Sequence, residues 1–313
     1  MAELRRDREW RQGIGPRLAY SSDGSAWAAG TPRGITIFED DEPAVTAPYT
    51  DGLLGELAFA PGDRRLLAAP AAYDRDGGAW AQLPDPHEAL TGDLDPEWAT
   101  GFEISAGAWC ADGRALAVYA EYRPERGIGT SSGYGGPAGR LALLDGASGA
   151  LETMLWEGDP VAPQKAIAIA DGFVAAGGVA VGVWERPTGR PIAVLPGLRT
   201  VARTLRLSAD GRYLAAGAAD GAAAVWETDS WVRLAMWEAH EDECAAMAFD
   251  EHGTLATGGA DGHVSLWGPD GEPRGGIALD APVQGLAHRP GDDRLLAATG
   301  GPDAAVVALT TAV

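Results

Sequence analysis

Short apolar runs separated by turn residues fill the chain from end to end. Seven times such a run closes on a turn: AYSSDG (19–24), AFAPGD (58–63), AWCADG (108–113), AIADG (168–172), RLSADG (206–211), AFDEHG (248–253) and AHRPGD (287–292). Counted from the last residue of each, successive copies lie 39, 50, 59, 39, 42 and 39 residues apart. The base period is therefore near 40, and two copies carry insertions. After each turn comes a strand of small residues, such as ALAV, FVAAG, YLAAG or TLATG. A tight turn leads to a strand that alternates apolar and polar positions, such as GITIF, RLALL, AVGVW or HVSLW. Period-two alternation places one residue set on each face of a strand. A last strand, such as RPIAVLPG or WVRLAMWEAH, completes the unit. The pattern predicts four short antiparallel strands per copy. No segment longer than a turn carries the 3.6-residue period of an amphipathic helix, so an all-β chain is expected.

Four-stranded units at this period are the pattern of β-propeller blades. Two segments carry a closer likeness: YLAAGAADGAAAVWE (213–227) and TLATGGADGHVSLWG (254–268). In each, Asp and Trp stand six apart, at Asp220/Trp226 and Asp261/Trp267, and Trp184, Trp226 and Trp267 follow one another at intervals of 42 and 41. These segments resemble the WD-repeat family. The resemblance implies a seven-bladed propeller over residues 1–313 as one domain. In the first three copies Phe38, Leu83 and Leu144 stand where the Trp is expected. In copy six, His240, Thr257, Asp261 and Trp267 match the family's buried hydrogen-bonded chain. Copy five keeps Asp220 with Trp226, and copy seven keeps Thr299 with Asp303. The last copy stops after its third strand, and REWRQGI (8–14) offers a spare one. The resemblance implies ring closure, with residues 1–14 as the outer strand of the last blade.

Charge narrows the partners. Asp and Glu number 45 against 24 Lys and Arg, a formal net charge of -21, and Lys165 is the only lysine. Such a chain is not expected to bind nucleic acid, where cations must neutralise phosphates, or an anionic membrane surface. The charged start MAELRRDREWRQ lacks the apolar stretch of a secretory signal, and no run of 18 apolar residues occurs; a cytoplasmic monomer is expected. Cys110 and Cys244 read as buried thiols rather than a disulfide or metal pair.

Departures from the minimal repeat are the candidate functional segments. The longest, at 120–140, holds Tyr122, Arg123, Arg126 and Tyr134 on a Gly/Ser-rich backbone. That is the composition of recognition loops, and of plain surface insertions too. A second, at 84–101, offers Asp85, His87, Glu88, Asp93, Asp95, Glu97 and Trp98. Its alternating carboxylates suggest calcium, but the full EF-hand pattern is missing, and a solvated acidic loop is the expectation. By the family's topology both insertions share a face with HEDE (240–243), including Glu241 and Asp242. The run EDDE (39–42) falls on the opposite face and reads as a solvated turn. The innermost strands place Arg17, Glu56, Lys165, Arg203 and Thr204 near the entrance of a central channel.

No phosphate-cradling loop opens a helix, and no nucleophile elbow or pair of His at metal-ligand spacing occurs. The expectation is a non-enzymatic scaffold for a basic protein or peptide, without cofactor, metal or catalytic residues. The alternative is a propeller enzyme or small-ligand receptor that uses the central channel.

Overall fold

A computed structural model describes residues 2–11, 15–31, 33–48, 57–68, 71–82, 86–94, 99, 102–110, 112–122, 139–158 and 166–311. Twenty-eight strands form seven four-stranded antiparallel blades in a ring. Blades 1 to 6 span 17–48, 57–82, 102–158, 166–195, 202–238 and 244–278. Blade 7 takes three strands from 283–311 and its outermost strand from the N-terminus, Ala2–Trp10. That strand runs antiparallel to Val306–Thr311, from Leu4 opposite Thr311 to Trp10 opposite Val306. It also touches the outer strand of blade 6 in parallel at Ala2 and Glu3, so blades 6 and 7 share one eight-stranded sheet.

The small-residue strands follow from how blades stack. The second strand of each blade is covered on both faces, by the blade before and the blade after. In blade 5, Leu214, Ala216 and Ala218 pack toward blade 4, whereas Ala215 packs toward blade 6. Among the described residues, seven apolar clusters occupy the seven clefts between neighbouring blades. Small side chains let the sheets approach; a Cβ on Gly258 would stand 2.4 Å from Val283 Cγ1 of the next blade. Burial of these clefts supplies the apolar area that stabilises a ring of such short strands.

Phe38 and Leu144 occupy the third-strand position that holds Trp226 and Trp267 in blades 5 and 6; they stand opposite Trp27 and Leu116 on the second strand, as Trp226 and Trp267 stand opposite Leu214 and Leu255. Blade 2 differs from expectation. Its third strand is only Ala71–Asp74, and Tyr73, opposite Leu66, takes the place assigned to Leu83, which lies outside the described residues. The chain is all-β as expected, with one short helix among the described residues that no periodicity announced. The six-residue helix Pro86–Thr91 stands in the insertion before blade 3. It is less than two turns long, too short to show a period.

The run EDDE is not simply a solvated turn. Asp40 and Asp41 adopt positive φ (49° and 64°). This aims Asp41 into the seam between the first and last blades. Its carboxylate accepts from Trp27 Nε1 at 3.2 Å and from Arg294 at 2.9 Å, and its carbonyl accepts from Trp10 Nε1 at 2.9 Å. Trp10 packs edge-on to Trp27, which stacks on Phe38. Arg8 and Arg294 lie over the Trp10 ring. Asp41 thus ties together the N-terminal strand, blade 1 and blade 7.

Candidate functional site

Of the residues singled out in the blade 3 insertions, Arg123, Arg126, Tyr134 and Trp98 lie outside the described residues. Tyr122, at the end of the strand Ala115–Tyr122, is half-buried, with its ring 5.6 Å from Phe102. The helix Pro86–Thr91 packs beside it. His87 Nε2 lies 3.1 Å from the Phe102 carbonyl, and Thr91 donates to the His87 carbonyl. Arg140, absent from the sequence expectations, anchors the region. Its side chain is only 4% exposed, donates to the Leu90 carbonyl at 2.6 Å, and pairs with Asp93 and Glu157. The hydrogen bond from Arg140 holds the Asp93 carboxyl below the usual carboxylate range. One carboxylate of the suggested calcium run is therefore taken by a guanidinium; Asp95 and Glu97 lie outside the described residues.

The blade 6 loop and turn form a linear chain. Trp267 Nε1 donates to Thr257 Oγ1 at 2.9 Å, and Thr257 Oγ1 lies 2.9 Å from His240 Nε2. His240 Nδ1 lies 3.1 Å from Asp261. The indole N–H donates to the hydroxyl, and the carboxylate can only accept, so Nδ1 carries a proton; with a neutral imidazole the Thr257 hydroxyl then donates to Nε2. Burial favours that neutral form. It lowers the His240 pKa below the ordinary 6.5, outweighing the opposite pull of Asp261. The chain contains no nucleophile exposed to a ligand, because Thr257 is fully buried. It fixes the loop that precedes blade 6, and Asp261 Oδ2 also accepts the Glu241 N–H.

Blade 5 shows what happens without the histidine. Leu198 stands four residues before the first strand, as His240 does in blade 6, and Ala216 replaces Thr257 in register. Asp220 turns instead to Arg199 at 3.1 Å, which also pairs with Glu238. In blade 7, Thr299 does not join Asp303. Its hydroxyl accepts from the Ala305 N–H at 3.0 Å and lies 3.2 Å from the Ala305 carbonyl.

The protonation of His240 gives a sign for stability against pH. A histidine whose folded pKa lies below its unfolded value stabilises fully above the unfolded value and loses that contribution as pH falls through it. The stability advantage of the wild type over His240→Gln is expected to be constant above about pH 7 and to shrink as pH falls below about 6.5, the ordinary histidine value, towards the lower folded one. Denaturant unfolding of both proteins across that range measures it. An advantage that grows on acidification would contradict the neutral chain. Comparing two variants cancels the relief of self-repulsion that acid brings to a chain of this charge.

Glu241 and Asp242 project from this fixed loop and are exposed. With Asp220, Glu238 and Asp261 nearby, Glu241 lines a shallow groove of about 510 Å³ across the clefts of blades 5 and 6. Glu243, the next residue, pairs with Arg203 at 3.3 Å. The loop stands at the same end of the strands as Tyr122 and the blade 3 helix, where first strands begin and second strands end.

Inner strands of six blades surround a central cavity of about 250 Å³. Arg17, Arg203 and Thr204 line it together, as the repeat alignment placed them; Glu56 and Lys165 lie outside the described residues. Arg206 and Gln284 line it too. The signal for Arg206 was its position two after Thr204, on a strand whose alternate residues share a face. Burial lowers the pKa of Arg17, and that of Arg206 to about 10.

Cys110 and Cys244 are buried free thiols. Cys110, Asp112 and Asp171 bring possible ligand atoms within 4.8 Å of one another. Arg186, 3.2 Å from the sulfur, places a cation beside that cluster, and burial pushes the Cys110 thiol up. Both effects oppose a metal ion there.

The family model for the WD domain, G-beta repeat, matches residues 189–227 and 231–268. Each match covers the outer strand of one blade and the first three strands of the next, in blades 4 to 6. No curated protein matches the chain.

Proposed function

For a chain that carries WD repeats in a seven-bladed propeller, we propose a non-enzymatic scaffold that docks a basic protein or peptide, acting as a cytoplasmic monomer. Propellers built of WD repeats typically serve as protein-interaction scaffolds. The observation that supports the finer reading is the acidic groove of Asp220, Glu238, Glu241 and Asp261. Two of these carboxylates are shared with Arg199, and Asp261 is held by His240, so Glu241 and the adjacent Asp242 are the most available charges. The His240 chain fixes their backbone before a partner arrives, which lowers the ordering cost of binding. Tyr122, half-buried in blade 3, stands on the same face and adds an aromatic side chain to it.

Acidic charge at an exposed surface acts mainly on association rate. The double variant Glu241→Lys/Asp242→Lys is expected to bind the captured partner with an association rate about tenfold lower, and the wild-type rate should fall as salt rises. Surface plasmon resonance on a partner captured from the native cell measures both. Unchanged association in the variant, with no dependence on salt, would remove this face from the account.

A further inference from the structure

The described lining of the central cavity is cationic, the reverse of the net charge of the chain. The chain holds 45 acidic residues against 24 basic ones. Yet the described residues lining this cavity include three arginines, Arg17, Arg203 and Arg206, and no Asp or Glu. The arginines come from blades 1 and 5. Thr204 and Gln284 add a hydroxyl and an amide to the same wall. The remaining wall is small and apolar, of the type that focuses a field rather than screening it. Arg17 Nη1 is fully buried and meets no acceptor among the described residues. A buried guanidinium nitrogen without an acceptor is costly, and native structures seldom leave one so.

We propose that the central channel binds a phosphate group, held by Arg17 and Arg206 from the inside and by Arg203 at the mouth. Guanidinium groups suit an oxyanion with several equivalent oxygens, because a fork can donate two parallel hydrogen bonds; Arg206 Nη1 already donates to the Leu205 carbonyl at 2.9 Å, so Arg206 adds its charge and its other N–H groups. The size agrees. A cavity of about 250 Å³ equals about eight waters at the ~30 Å³ each fills in the liquid. That admits a phosphate with its waters or a short phosphomonoester, and is small for a nucleotide. Arg203 is 47% exposed and shares its charge with Glu243. It can therefore turn inward as the anion enters. Binding would give Arg17 Nη1 an acceptor, against the desolvation that now lowers the pKa of that side chain.

Isothermal titration calorimetry of the full chain tests this, with inorganic phosphate, glycerol phosphate, malonate and chloride at matched ionic strength. Phosphate or glycerol phosphate is expected to bind saturably at one per chain, and the tighter of the two identifies the source. Arg17→Met and Arg203→Gln should each weaken binding about tenfold or more, the scale of a lost charged hydrogen bond. Thermal unfolding adds a readout that a structural role for Arg17 would not give. Without phosphate, Arg17→Met should melt no lower than the wild type, since it removes a half-buried cation whose Nη1 meets no acceptor among the described residues. With phosphate, only the wild type should rise. No saturable heat, tighter binding of malonate than of phosphate, or full phosphate affinity in both variants would overturn the proposal.

Discussion

Removing residues 1–11 is expected to lower the melting temperature by roughly 10 °C or more, the largest effect of any short deletion in this protein. The strand Ala2–Trp10 is the fourth strand of blade 7 and pairs along its length with Val306–Thr311. Without it the hydrogen-bonding edge of that strand is open. Two clefts also lose an anchor. Leu4 is buried in the cleft between blades 6 and 7, and Trp10 in the cleft between blades 7 and 1. Truncating a buried Leu or Trp alone typically costs about 2–5 kcal/mol each. In a ring, the loss is not confined to one blade, because each blade is held only by its two neighbours. Calorimetry of the shortened chain beside the full one measures the effect. Equal melting temperatures would show that the N-terminal strand does not close the ring.

The second large effect is expected from one side chain. Asp41→Ala should destabilise the fold by about 2–4 kcal/mol, as breaking one partner of a largely buried ion pair does. Arg294 is 12% exposed and Asp41 22% exposed in this pair. The substitution leaves the guanidinium without its carboxylate and Trp27 Nε1 without its acceptor. Asp41→Asn keeps an oxygen for Trp27 but not the charge for Arg294, so an intermediate loss is expected. Urea unfolding of the three proteins orders them. A loss below about 0.5 kcal/mol for Asp41→Ala, the scale of ordinary surface changes, would return this turn to a solvated one.

The blades were legible because their signal is local and repeated. A turn every 40 or so residues and a Trp at a fixed distance from an Asp do not depend on knowing which blades meet. His240, Thr257, Asp261 and Trp267 could be read for the same reason, since they span 28 residues of one repeat. The seam was not legible. Asp41 and Arg294 lie 253 residues apart, and only ring closure brings them together. Read alone, EDDE has the composition of any solvated turn. Arg140 was hidden similarly, because its partners Leu90 and Asp93 belong to the insertion before its blade. In blade 2 a short third strand shifts the aromatic position to Tyr73, and a count based on longer blades passes over it. Thr299 shows the opposite error. The residue type fits the pattern, but its register matches Gly259, not Thr257, so its hydroxyl serves the local turn. The channel was legible in part. Aligned inner strands found Arg17, Arg203 and Thr204, but not that Arg206 joins them on the same wall.

The scaffold reading rests on which face meets the partner, and photo-crosslinking decides this most directly. A photoreactive residue is placed at position 241, in the fixed acidic loop, or at position 251, in the exposed turn at the opposite end of blade 6. Both are single exposed sites in the same blade, so folding and labelling should match. The account expects a specific crosslinked species from position 241 and none from position 251. Crosslinking from 251 alone, or equally from both, would contradict it.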